Sequence, residues 1–246
     1  MEVHANHLHN APGKKIWHYF FEFFMLFLAV FCGFLAENIR EHKLEHEREK
    51  RYIKNLNEDL VTDTIIYSSY HRNTEEILSI VDSLMLLMKS PDRNAHVSRI
   101  YYLARIATIR EPAVSPNDRT FDEMKSSGLL RLIRNRQVSD SISSYYNSLK
   151  NISLQNDFIY ERLNDYMSAA GKVFDADVLF KILKERTAPA SFHGKLLSED
   201  PVAINQFLTS AQYLYGSRFL QGKWCQERSG RATNLIKLIQ KEYHLD

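Results

Sequence analysis

The chain of 246 residues carries 32 Lys and Arg against 30 Asp and Glu, a balance that gives no electrostatic case for nucleic acid as a partner. Only 8 Gly and 6 Pro are present and none falls between Gly33 and Pro91, so long helices are expected and the predicted fold class is all-α. The two cysteines, Cys32 and Cys225, lie in an apolar run and near the C-terminus, which excludes a disulfide framework.

Residues 1–15 read as a polar tail in which His4, His7 and His9 are weak metal candidates. Ile16 to Ala36 comes next, charged only at Glu22. At ~1.5 Å of rise per residue its 21 residues span the ~30 Å hydrocarbon core of a bilayer. Trp17 and Tyr19 stand where an aromatic belt belongs. The run is too long for a signal-peptide core and leads into charged helical sequence, so an uncleaved single-pass anchor is predicted. Lys14 and Lys15 precede it, and Arg40, Lys43, Arg48, Lys50 and Arg51 lie beyond it. The positive-inside rule then leans toward a cytoplasmic C-terminal part, although five interleaved glutamates share that stretch.

The anchor has two faces. At ~100° per residue, Ala29, Gly33 and Ala36 fall within about 40° of Glu22, while Phe20, Phe24, Phe27, Phe31 and Phe34 gather opposite. Aromatic bulk suits lipid, and a small-residue stripe lets a second helix backbone approach. An ionisable side chain costs about 2.5–3.5 kcal/mol near the bilayer centre and is rarely left facing lipid. Three roles are open to Glu22: a helix–helix contact, snorkelling to the near interface, or a proton or ion path.

Residues 37–52 are polar nearly all round and read as a charged helical stalk, with Lys43–Glu47 and Glu47–Arg51 as supporting pairs. His42 and His46 have metal-ligand spacing but no HExxH frame. Residues 53–246 read as an α-helical bundle domain. Its first heptad run, Ile53 to Met88, is polar only at Asp63 and Thr74. "KSPDRN" ends that helix, and a shorter one, "HVSRIYYLARIATIR", comes after it.

A second run, Val138 to Val173, keeps the heptad alternation with Asn156 as its sole polar member, at an a position. In an intermolecular coiled coil that Asn sets register and oligomer state; in a bundle it is one satisfied polar group in the core. The bundle is favoured, with the two heptad helices as an antiparallel pair. Asp200 and Pro201 form a helix-start signal, Gly216, Gly222 and Gly230 punctuate the C-terminal segment, and "TNLIKLIQKEY" reads as the closing helix. Its basic residues suggest a solvated face, with anionic lipid as a lesser option.

No Gly-rich phosphate loop, CxxC pair or nucleophile elbow is present, so no catalytic residue, cofactor site, metal site or small-molecule substrate is assigned. One stretch is more distinctive. "TFDEMKSSGLLRLIRNRQVSDSISSYY" opens with a capping-box pattern, Thr120 with Glu123, and places Gly128 where a short helix ends. With the glutamate-bearing anchor and the charged helix after it, this stretch resembles a Gram-negative bacterial family of single-pass membrane proteins of unknown function. The resemblance covers roughly residues 17–63 and 120–150. It implies an inner-membrane architecture and carries over no catalytic or cofactor residue.

The expected protein is thus anchored in a lipid bilayer and works through homo-oligomerisation or a membrane partner, using its transmembrane helix and helical domain. A conducting assembly lined by Glu22 and a metal protein or enzyme are the competing readings.

Overall fold

The structure, a computed structural model, describes residues 12–108, 113–189 and 194–245; the tail histidines His4, His7 and His9 lie outside them. The chain divides into two compact units, Met1–Arg51 and Tyr52–Asp246. Among the described residues there are seven α-helices and no strand: α1 (Pro12–Met88), α2 (Val97–Ile106), α3 (Arg119–Ser126), α4 (Arg136–Asn147), α5 (Ile152–Ala170), α6 (Ala176–Glu185) and α7 (Pro201–Tyr243).

In the first unit α1 is long and apolar enough to cross a membrane, and every described side chain from Ile16 to Leu44 is exposed. Along 37–49 the polar groups pair at three-residue spacing: Glu37 with Arg40 at 2.5 Å, His42 with Glu45 at 3.7 Å and His46 with Glu49 at 3.2 Å. The sequence suggested four-residue pairs around Glu47. Both spacings bring helical neighbours together; the Glu37–Arg40 and His42–Glu45 pairs are exposed and add little to stability, while Glu49 of the third pair is buried.

In the second unit the direction of each long helix can be read from its cross-contacts. Ser68 meets Ser229 (Oγ to Oγ 3.1 Å), and Tyr215 donates to Asp82 (3.4 Å), so α1 and α7 run antiparallel. Asn135 with Glu242, Gln221 with Asn156 and Lys172 with Gln206 set α4 and α5 antiparallel to α7 as well. Tyr145 then sits level with Asp63, and Asn156 level with Thr74. The two heptad helices pack on each other but run parallel, which corrects their expected antiparallel pairing, and α7 is the antiparallel partner of both. Two parallel helices need a long return. The segment between Met88 and Arg136 supplies it, running back along the bundle through α2, residues 113–118 and α3.

The second heptad helix is not continuous. Ser148 Oγ bonds back to the Tyr145 carbonyl (2.6 Å), and Leu149 and Ile152 donate to carbonyls three residues earlier, so the chain tightens between α4 and α5. A serine bonding back in this way competes with the helical ladder. The antiparallel register to α7 persists across the break, and Leu149 and Ile152 stay buried.

Conversely, α7 is one helix through Gly216, Gly222 and Gly230, where punctuation was expected. Asp200 caps it, accepting from the Val202 and Ala203 amides, with Pro201 at its first position. Each interior glycine costs about 1 kcal/mol relative to alanine. The inward stripe from Ile204 through Phe207, Ala211 and Leu214 to Leu235 and Ile239 outweighs that cost, at ~1.5–3 kcal/mol per large buried side chain.

Gly222 has a positive reason to be there: a Cβ would sit 2.9 Å from Thr74 Cγ2, closer than carbon atoms approach. Gly222→Ala is expected to lower the unfolding free energy by ~1–3 kcal/mol in urea titration. Thr74→Ser, which removes the opposing methyl, should recover part of the loss. An alanine variant at least as stable as wild type would mean that the helices are not in this close contact.

Candidate functional site

Two places concentrate functional chemistry, and each lies within its own unit. The first is the anchor stripe. Glu22, Ala29, Gly33 and Ala36 occur on one continuous helix and all are exposed, and nothing lies within 4 Å of a Cβ built on Gly33. The opposite face is stapled by ring stacking at four-residue spacing, Phe20 on Phe24 (6.4 Å) and Phe27 on Phe31 (6.0 Å). One side of the helix is thus aromatic bulk, and the other is a shallow strip with one carboxylate at its start.

The second is a buried acidic pair on α1, one helical turn apart: Asp59 and Asp63. Asp59 Oδ1 accepts from Asn117 Nδ2 (2.7 Å) and Oδ2 from the Thr120 amide (3.2 Å). Asp63 Oδ1 accepts from the Asn117 amide (2.8 Å) and Oδ2 from the Tyr145 hydroxyl (2.6 Å). All four carboxylate oxygens are engaged, so the pair acts as a clamp that fixes residues 117–120 and α4 on α1. It offers no lone oxygen to a substrate, as a general acid–base pair would need to.

This clamp explains the distinctive stretch from Thr120 to Tyr146. The capping box does not form, because α3 starts one residue before Thr120 and Asp118 makes no side-chain cap. A carboxylate from another helix, Asp59, instead satisfies one of its free N-terminal amides, where negative charge is favoured. Glu123 is free to accept from Tyr52 Oη (2.7 Å). Gly128 takes φ 72°, the left-handed turn that lets the chain leave α3. Phe121 stacks on Tyr146 at 4.2 Å with rings nearly parallel. Within the bundle, the "NLNEDL" and "TFDEMKSSGLL…SYY" parts of the resemblance pack directly on each other.

Asn156 donates to the Val114 carbonyl (3.0 Å) and accepts from Gln221 Nε2 (2.9 Å), both within the chain. Beside it, Val114, Phe121, Tyr146 and Ile152 line a groove of about 470 Å³ rimmed by Asp118, Asp122, Lys125 and Lys150. His42 and His46 each face a glutamate, and among the described residues no three His, Cys, Asp or Glu side chains gather as metal ligands. No family model, curated protein or solved structure matches the chain.

Sequence reasoning marked Asp63 only as a polar break in a heptad and Tyr145 only as a core member of the second heptad run, and it passed over Asp59 and Asn117. The available signal was that break: a carboxylate at a core position must find donors or pay for burial.

Burial pushes the Asp63 carboxyl above its ordinary value, against the opposing hydrogen bonds from Tyr145 and the Asn117 amide; nearby Asp59 and Asp118 add to the rise. Burial, then Tyr67 and Asp63, push the Tyr145 phenol far up, so it stays a donor at any working pH. A raised carboxyl means that the folded state holds its proton after the unfolded chain has released it. Stability therefore falls as pH rises from the unfolded value of ~3.9 through the folded one, then levels. Asp63→Asn should remove that falling limb from the difference between the two proteins' stability–pH curves. Tyr145→Phe should cost ~1.5–3 kcal/mol in urea titration at neutral pH. An unchanged pH profile in the first variant would mean that Asp63 titrates as an exposed acid.

Proposed function

We propose that the chain is a single-pass protein of the bacterial inner membrane that works by association, with itself or with a membrane partner, through the Glu22 face of its anchor. The bundle is carried on the cytoplasmic side, in line with the positive-inside count, and the chain takes its place in the family that its anchor and clamp stretches resemble. The observation that carries this reading is an exposed apolar helix with two unlike faces, aromatic on one side and small around a carboxylate on the other. An intramembrane carboxylate favours a partner over lipid, and Ala29 and Gly33 leave room for one. The heptad stripes of the bundle support it indirectly. Both are buried within the chain, so the long apolar seams of the domain are already occupied.

Gly33→Leu and Ala29→Leu should each weaken self-association or partner capture by ~10-fold or more, read by crosslinking in native membranes, because a leucine blocks close backbone approach. Phe27→Leu, on the opposite face, should leave it within about twofold. Equal association in all three variants overturns the assigned face. The conducting reading makes a different demand: Glu22→Gln would abolish proton flux in liposomes while leaving association intact.

A further inference from the structure

The interior of Tyr52–Asp246 contains two apolar cores that share no residue. One gathers Ile53, Leu56, Leu60, Tyr145, Leu235 and Ile239 with their neighbours, and the other Val81, Leu84, Ile100, Tyr166, Phe174 and Phe207 with theirs. On α1 the first core ends at Tyr70 and the second begins at Ile77. On α5 the limits are Ile152 and Leu163, and on α7 they are Cys225 and Leu214. Because α1 and α5 are parallel and α7 is antiparallel to both, with Gln221 at Asn156, Gly222 at Thr74 and Tyr215 at Asp82, the three gaps overlap at one level, 71–76 beside 153–158 and 220–224, while the rest of the α5 and α7 gaps runs beside Ile77 and Val81 of the second core. Among the described residues, the buried ones inside them are Thr74, Ile159, Ser217, Arg218, Gln221 and Gly222, of which only Ile159 carries a large apolar side chain.

That level is poorly satisfied as well as polar. Thr74 Oγ1, Gln221 Oε1, His71 Nδ1 and Gln155 Nε2 are buried without a hydrogen-bond partner. His71 and Thr74 both lie against Gly222, and Gln221 reaches Asn156, so these groups belong to one layer. The α4–α5 break, at 148–151, comes about one helical turn before Asn156.

We propose that this layer is a joint at which the bundle opens in halves. Apolar burial is what makes packed helices open together, and here it is interrupted in all three long helices where their gaps overlap. Buried polar groups without partners favour opening, because water then satisfies them. Each half keeps its own fastening. The Asp59–Asp63 clamp holds α3 and α4 to α1 at the Tyr52 end. At the Met88 end Tyr166 donates to the Ala104 carbonyl (3.0 Å), and the Asp175 amide donates to Tyr101 Oη (3.0 Å). One half can therefore loosen while the other stays closed. The joint holds whether or not the anchor associates.

Native-state hydrogen exchange by mass spectrometry on the full chain in nanodiscs tests this. The amides of the two cores should fall into two sets whose opening constants differ by at least ~10-fold, with the boundary at residues 71–76, 153–162 and 215–224. A single opening constant for both cores, or a boundary elsewhere, overturns the joint. Thr74→Val, which removes one unmet group without changing volume, should raise protection around the layer by about fivefold, the worth of one such group. Unchanged or reduced protection there would sink the role given to the layer. The wild-type measurement decides the existence of two halves without the variant.

Discussion

Everything in the helical domain depends on α7 lying antiparallel to two heptad helices that run parallel to each other. Parallel neighbours cannot be joined by a short loop, so the chain must travel the length of the bundle between Met88 and Arg136. That return path is not idle. Its first part, α2, walls the core at the Met88 end, and its last part, α3, walls the core at the Tyr52 end. The segment between them carries Val114 and Asn117, whose backbone groups are bound by Asn156 and Asp63. Asp63 and Asn156, two of the three polar residues within the heptad stripes, are thus the points at which the crossing chain is tied down.

The same arrangement bears on the proposed association. A heptad stripe on a free helix invites a second chain, whereas one already buried against α7 does not. The domain exposes scattered large apolar side chains such as Phe158, Phe180 and Tyr213, whereas the N-terminal helix exposes a continuous apolar run with an aromatic face and a small-residue face. Placing association on Glu22, Ala29, Gly33 and Ala36 therefore rests on the packing of the domain as much as on the anchor itself. The proposed joint adds a division of labour within the domain. The half at the Tyr52 end is fastened by the Asp59 and Asp63 carboxylates, and the half at the Met88 end by the Tyr166 and Tyr101 hydroxyls.

Much of this was legible in the sequence. The all-α class, the long first helix with its apolar N-terminal run and the Asp200–Pro201 start of α7 can be read from periodicity, capping and the placement of Gly and Pro. The features that were not legible depended on partners far along the chain. Three interior glycines read as punctuation because local propensity cannot show that α7 buries a stripe on two helices, or that Gly222 must clear Thr74. The capping box at Thr120 was displaced by Asp59, a carboxylate sixty-one positions earlier. The break at Ser148 was hidden because Leu149 and Ile152 keep the heptad spacing through it. Asp63, Thr74 and Asn156 were visible as interruptions, yet sequence alone could not distinguish a clamp from a weak layer.

The central claim, that α1 and α7 pair antiparallel within a single chain, can be tested by a disulfide. Ser68 and Ser229 place their hydroxyl oxygens 3.1 Å apart, within reach of the Cβ spacing of ~3.8 Å that a disulfide needs. In a chain carrying Cys32→Ser and Cys225→Ala, Ser68→Cys with Ser229→Cys should close an intrachain bond under mild oxidation in membranes. It would be seen as a faster-migrating monomer that reverts on reduction. No bond, or a bond formed only between chains, would contradict the intrachain pairing on which the rest of the account is built.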